Sequence, residues 1–323
     1  MKYLGKQSAT RVQVDESADG QRLDNFLLRH LKGVPKSHLY RLVRGGEVRV
    51  NSRRVDASQR LQRGDEVRIP PVRTAAPALA LSPRAPLPQA QRLLPHVLYR
   101  DDALLLLNKP SGWAVHGGSG VSYGVIEQLR RELPEQRFVE LAHRLDRETS
   151  GVLIIALKRA ALVALHDQFR DGIPDKRYLA LATGRWRDAL RNVRLGLHKY
   201  LTPNGERRVS VIEGGQASHT VFRRQRTWPG FALLEAELKT GRTHQIRVHL
   251  AHLKCPIAGD DKYGNFELNK ELQGLGLKRM FLHARSLALP HPITGEMLRA
   301  EAPLPQELQA FLDYLDATHA TPI

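Results

Sequence analysis

The chain has 323 residues, enough for a large catalytic domain and a small accessory one that fold without staples or metals. It is 41% hydrophobic and 26% charged and has no uninterrupted apolar run of bilayer length, which argues against a helical membrane span and for a soluble protein. Fifty Lys and Arg against 33 Asp and Glu give a formal charge of +17, which favours polyanionic partners, nucleic acid first, although a solvated basic surface gives the same balance.

Met1 to Gly5 opens no apolar run before the polar stretch 15–21, so no secretory signal is expected. The single cysteine, Cys255, allows no internal disulfide and falls short of a structural zinc set. Both observations predict a cytoplasmic location.

In the stretch 19–73, Leu23, Phe26, Leu27 and Leu31 fall at i, i+3, i+4 and i+8, the spacing of one buried helix face. Ser37 is placed to cap a second short helix that turns Leu39, Leu42 and Val43 inward, with Gly45-Gly46 as its left-handed stop. Residues 47–51 and 65–69 alternate as strands. Thirteen Lys and Arg oppose six Asp and Glu in this stretch. Arg41 and Arg44 lie one helical turn apart and Arg53-Arg54 occupy the turn between strands, so several cations can meet one phosphate backbone. This helix–helix–strand order, with Gly45-Gly46-Glu47-Val48-Arg49-Val50-Asn51, resembles an S4 RNA-binding domain over 19–73. The resemblance makes Arg41, Arg44, Arg53 and Arg54 the RNA-binding candidates.

Residues 74–95 are rich in Ala, Pro and Leu, with prolines at 77, 83, 86, 88 and 95, and are expected to be a tether. Residues 96–323 alternate strand-like runs, 103–107, 152–157 and 231–238 among them, with helical ones, and are expected to form one α+β domain. Residues 160–169 read as a helix, and Leu308, Phe311, Leu312 and Leu315 form a stripe suited to core packing. Gly117-Gly118-Ser119-Gly120 is a flexible loop, but no Gly-Lys-Ser/Thr follows it and no Gly-x-Gly-x-x-Gly opens a helix, which disfavours nucleotide-binding folds.

Two clusters bear chemistry. In His143-Arg144-Leu145-Asp146-Arg147-Glu148-Thr149-Ser150-Gly151 an aspartate sits between two arginines, whose charge favours the carboxylate; such an anion serves as nucleophile or base, and a surface ion-pair loop has the same composition. In residues 240–253, Thr243 can cap a helix whose Ile246, His249, Leu250 and Leu253 share a face, with Gln245 and Arg247 in the first turns. His244, His249 and His252 lack the i, i+4 zinc pair, so they are assigned to packing and hydrogen bonding and no metal is expected.

Asn108-Lys109-Pro110-Ser111-Gly112, His116-Gly117-Gly118-Ser119-Gly120, His143-Arg144-Leu145-Asp146 with Thr149-Ser150-Gly151, Lys176-Arg177-Tyr178-Leu179-Ala180 and residues 241–249 occur in one order. In this the chain resembles the RluA-family pseudouridine synthases. With the S4-like front, Pro35-Lys36-Ser37 and residues 68–73, it looks like the RluC type, which acts on 23S ribosomal RNA. The resemblance implies a core with a mixed, largely antiparallel sheet flanked by helices, and a cofactor-free isomerisation of uridine to pseudouridine. It further implies Asp146 as the catalytic carboxylate, Arg247 as its partner, Tyr178 at the flipped base and Arg144 in the space the base leaves. The expected partners are 23S ribosomal RNA or large-subunit assembly intermediates, with no membrane, and the expected state is a monomer. An S4-bearing assembly factor without catalysis is the alternative; a metal-dependent nuclease lacks the clustered carboxylates it needs. The Ala/Pro-rich tether and Trp113 depart from the pattern; Trp113 fills a hydrophobic gap or offers a stacking face, with gap filling preferred.

Overall fold

The computed structural model describes residues 8–15, 18–31, 34–72, 92–117, 123–203 and 205–319. The chain divides into two units at Gln91/Arg92. The first contains strands β1 (Thr10–Gln13), β2 (Arg49–Val50) and β3 (Glu66–Ile69) and helices α1 (Leu23–His30) and α2 (Lys36–Arg44). β3 lies between the other two strands and is antiparallel to both. Leu23, Phe26 and Leu27 of α1 and Leu39, Leu42 and Val43 of α2 are buried together with Val48, Val50, Val67 and Ile69, so the periodic positions do form the core.

Three local readings are corrected here. The unit begins before residue 19, because Thr10 pairs with Ile69 and Gln13 with Glu66, and Val14 is buried; four residues with one apolar inward position give too short an alternation to read. Helix α2 starts at Lys36 behind Pro35, whose fixed φ sets the entry, so Ser37 lies inside the first turn and caps nothing. The strand expected over 47–51 shrinks to Arg49–Val50, since Asn51 and Ser52 take left-handed backbone angles and turn the chain. Of the two glycines after α2, Gly46 makes the left-handed stop while Gly45 stays helical.

The second unit begins with residues 92–95, which the sequence reading gave to the tether. Leu93 is buried in the large core and its N–H, with that of Leu94, is held by the Glu132 carboxylate at 2.9 Å, so the short 3-10 turn Leu94–His96 is part of the folded domain. Residues 74–91 of the expected tether, and Gly118-Ser119-Gly120 of the glycine loop, lie outside the described residues.

The strands of this unit are β4 (Val97–Arg100), β5 (Leu104–Lys109), β6 (Glu140–Leu141), β7 (Ser150–Ala156), β8 (Asp175–Thr183), β9 (Leu190–Leu201), β10 (Arg207–Val211), β11 (Gln216–Trp228), β12 (Phe231–Leu238), β13 (Leu282–Pro290) and β14 (Met297–Glu301). They form one sheet in the order β10-β9-β11-β12-β8-β13-β7-β5-β4, with β14 on β13 and β6 on β7. Every pairing is antiparallel except β13 with β7. The helices are α3 (Val125–Glu132), α4 (Arg159–Arg170), α5 (Gln245–His252), α6 (Phe266–Gly274) and α7 (Gln306–His319).

The part of the sheet next to β4 explains the apolar run 152–157: β5 and β7 are covered on both faces, as strands without alternation are. Leu105, Leu107, Leu153 and Ile155 face the large core with α3 and α7, whose Leu308, Phe311, Leu312 and Leu315 are all buried. Leu104, Leu106, Val152 and Ile154 face a second core with Leu162 and Leu165 of α4. Each fully buried leucine contributes roughly 1.5–3 kcal/mol of transfer free energy, so this junction anchors whatever the loops around β7 carry.

Register places the chemistry. Ala284 of β13 is the partner of both Gly151 at the start of β7 and Tyr178 on β8. Gly151 has φ 109°, and a Cβ there would lie 2.1 Å from the Ala284 carbonyl oxygen, so only glycine brings the chain in this close as the Asp146 loop enters the sheet.

Candidate active site

The Asp146 loop is fastened before it reaches β7. Thr149 N–H bonds back to the Asp146 carbonyl at 3.2 Å, and Gly112 N–H to the Arg147 carbonyl at 2.9 Å. Lys109, fully buried at the end of β5, donates to the carbonyls of Pro110, Trp113 and Arg147 at 2.9, 3.0 and 3.0 Å. Burial without a carboxylate at hydrogen-bond distance pushes its ammonium down to about 7. Arg279 adds bonds to the Glu148 carbonyl at 3.0 Å and the Ser150 hydroxyl at 2.9 Å. Trp113 is partly buried against the large core, the gap-filling role.

The flanking arginines do not pair with Asp146. Arg147 donates to the Gly112 carbonyl and pairs with Glu148, and Arg144 is exposed at the cavity. The partner of Asp146 is Arg247, in the first turn of α5, whose Nη1 lies 3.1 Å from Asp146 Oδ2. Arg247 is itself 4% exposed and is gripped on its other edge by fully buried Asp260, Nε to Oδ2 and Nη2 to Oδ1, both at 2.7 Å. Burial works against the guanidinium charge, but the two Asp260 bonds and then Asp146 outweigh it and raise its pKa. Burial likewise opposes the Asp260 charge; Arg247 and the N–H groups of Lys262 and Tyr263 reverse that and hold the carboxyl below its ordinary value. Arg247 thus reaches Asp146 as a fixed cation whose plane is set from behind.

Asp260 was missed by the sequence reading. Its signal is Gly259-Asp260 with Tyr263-Gly264: Gly259 has φ 76°, and a Cβ there would meet the Arg279 carbonyl oxygen at 2.3 Å. Helix α5 is not capped by Thr243. Its N-cap is His244 in a left-handed conformation, which turns the ring to face Asp146, Nε2 to Oδ2 at 3.8 Å, while Nδ1 shares a 2.8 Å hydrogen bond with the Tyr263 hydroxyl. Burial lowers the His244 pKa, so the neutral ring is favoured. Of the other two histidines, His249 bonds the Ser218 hydroxyl at 2.8 Å. No group of three or more His, Cys, Asp and Glu suited to a metal occurs among the described residues.

Asp146, Arg247, Tyr178 and Arg144 all line one cavity of ≈ 540 Å³. Asp146 is the one carboxylate among the lining residues, against Arg144, Arg170, Lys176, Lys239, Arg242 and Arg247. Tyr178 is 8% exposed, and burial first, the Asp146 charge second, raises its pKa above the ordinary tyrosine range. At neutral pH its hydroxyl is therefore a hydrogen-bond donor and not a phenolate base. In the N-terminal unit Arg41, Arg44, Arg53 and Arg54 are all exposed, and the Arg54 side chain lies over Gly46, two residues beyond Arg44.

Similarity to known proteins gives the family. The family model for RNA pseudouridylate synthases matches residues 103–252 and that for the S4 domain residues 21–67. The ribosomal large subunit pseudouridine synthase C of Salmonella typhi is 50% identical over 94% of this chain and 95% of its own length. The chain belongs to the RNA pseudouridylate synthase family. The synthase C of Escherichia coli K12 has the same identity and coverage as the Salmonella one, and that of Haemophilus influenzae is 49% identical over 95% of each chain. Among solved structures, human RNA pseudouridylate synthase domain containing 1 is similar with TM-score 0.58 and 26% identity, covering 74% of this chain and 99% of that one. Human RNA pseudouridylate synthase domain containing 4 gives TM-score 0.57 and 27% identity over 69% and 94%. The synthase is an isomerase with an S4 unit in front of its catalytic core.

Proposed function

We infer that this synthase isomerises selected uridines of 23S ribosomal RNA, free or in large-subunit assembly intermediates, and does so in the cytoplasm as a monomer. The observation that carries the reading is the Asp146–Arg247–Asp260 chain, which presents one carboxylate to a cavity whose Lys and Arg side chains supply the opposite charge. The named substrate of the relatives supports the RNA, and no helix among the described residues is long and apolar enough to cross a membrane.

Making pseudouridine breaks the bond from ribose C1′ to uracil N1 and forms one from C1′ to C5; the C5 proton leaves and N1 gains one. No electron changes hands. Asp146 is the group that reacts with the nucleotide and is released intact. Arg247 holds its carboxylate in place, and Tyr178, protonated, offers its hydroxyl to the uracil. The base must first leave its stack, at a cost on the order of a few kcal/mol; the exposed guanidinium of Arg144 takes the vacated place by stacking. The exposed arginines 41, 44, 53 and 54 bind backbone phosphate. The assembled Asp146, Tyr178 and Arg247 set weighs against an assembly factor without catalysis.

Because C5 loses its hydrogen, large-subunit RNA labelled with tritium at uracil C5 tests the reading. The wild type is expected to release tritium to water in proportion to its target sites. Tight RNA binding without release would leave only the binding role.

A further inference from the structure

Of the six cations lining the Asp146 cavity, five have an evident partner or lie in water. Arg247 is paired with Asp260, Arg170 with Asp167, and Lys239 with Glu237; Arg242 donates to the Ala217 carbonyl and Arg144 is exposed. Lys176 is different. It is 8% exposed and makes no ion pair with a carboxylate among the described residues. Its neighbour Asp175 is bonded to Arg177 at 3.1 Å, and its ammonium lies over the Phe169 ring, 5.7 Å from Nζ to the centroid. Removing an ammonium from water without an anion is costly, and burial accordingly lowers its pKa. A buried cation of this kind that lines a cavity is matched by a ligand that brings the negative charge.

Its position says which part of a nucleotide that is. Lys176 and Tyr178 are two apart on β8, so both side chains leave the same face, and both line the cavity. Two strand residues span roughly 7 Å, which is comparable with the distance from a nucleotide's base to its own backbone. Beside Lys176, His143 does not supply an anion either: its Nε2 accepts the Ile154 N–H at 3.1 Å and its ring stacks on Phe169. Resting on the reading that the cavity takes an everted uridine, we propose that Lys176 is a phosphate subsite, binding the phosphodiester that flanks the everted nucleotide while Tyr178 meets its base. Lys176 thereby selects a nucleotide within an RNA chain over a free base or nucleoside.

The test uses the full chain with Lys176→Met and Lys176→Arg, measuring filter-bound 23S ribosomal RNA over a sodium chloride series and thermal melting of the free proteins. Losing one phosphate contact lowers the slope of log affinity against log salt by about 0.7–0.9. Lys176→Met is expected to show that drop and to melt at or above the wild-type temperature, because a cation without a partner has been replaced by an apolar chain of similar length. Lys176→Arg is expected to keep the wild-type slope. A wild-type slope in Lys176→Met overturns the proposal. So does a lowered melting temperature or a failure to fold, since the ammonium would then serve the free protein's structure. Absence of tritium release by the wild type would remove the enzymatic reading, whereas the salt slopes report the phosphate contact by themselves.

Discussion

Arg247 meets three carboxylates: exposed Asp261 at 3.4 Å is the most distant, and the other two have unequal tasks. Asp260, fully buried, fixes the guanidinium through two bonds, and Asp146, 23% exposed, receives the remaining edge at the cavity wall. Removing the arginine leaves Asp260 buried without a counter-charge, which costs about 3–5 kcal/mol. Arg247→Met is therefore expected to lower the melting temperature sharply, and Arg247→Met with Asp260→Leu to recover much of that loss while remaining inactive; calorimetry on both checks it. Tyr178 carries a different expectation. Its hydroxyl is held protonated by burial and by Asp146, above the ordinary value of 10.0, so it contributes no limb to the pH profile of kcat/KM between neutrality and that value. Tyr178→Phe should leave stability nearly unchanged and lower kcat by about 10²-fold, the smaller end of what a positioned proton-bearing group contributes. An activity that rose with pH toward 10 in the wild type and lost that rise in the variant would contradict this.

At the scale of elements, α5 is the piece that joins scaffold to chemistry. Its first turn supplies Arg247, and its middle supplies fully buried His249. Ser218 donates its hydroxyl hydrogen to the Leu195 carbonyl at 2.7 Å, so His249 is the donor through Nε2 and its Nδ1 has no partner among the described residues. Burial pushes His249 down to about 4, and His143 as well. The folded pKa lies below the unfolded value of 6.5, so between pH 6.5 and 4 the unfolded chain binds protons that the folded one refuses. Stability should fall as pH falls through that window. The urea midpoint measured across it is expected to decline, and less steeply in His249→Leu; an unchanged slope would contradict the assignment. Sequence pattern made α1, α4, α7 and the doubly buried β7 legible, because each has several apolar residues at one period. It did not reveal β1, whose four residues gain meaning only beside β3, nor the entry to α5, where a left-handed His244 replaces the expected Thr243 cap. Ordered motifs singled out Asp146, Tyr178 and Arg247, which the fold brings to one cavity. Asp260 and the phosphate-facing reading of Lys176 need distances between residues far apart in the chain, which spacing cannot supply.

For the whole molecule the governing quantity is the charge of +17, whose distribution between the two units sets how RNA is held. Arg41, Arg44, Arg53 and Arg54 are exposed, unlike the buried Arg247. Changing all four to Gln should reduce the salt slope of RNA binding by up to about 3–4 and raise KM, while leaving kcat at saturating RNA near wild type. A fall in kcat with KM unchanged would contradict a phosphate-binding role for that unit.

The central claim is that Asp146 reacts with a uridine of large-subunit RNA. It is tested most directly by incubating unmodified 23S ribosomal RNA with the wild type and with Asp146→Ala, then mapping pseudouridine by carbodiimide-dependent reverse-transcription stops. Discrete new stops with the wild type and none with the variant, a loss of at least about 10³-fold in a protein that still binds the RNA, is the predicted result. Equal stops from both proteins, or none from either while both bind, would contradict it.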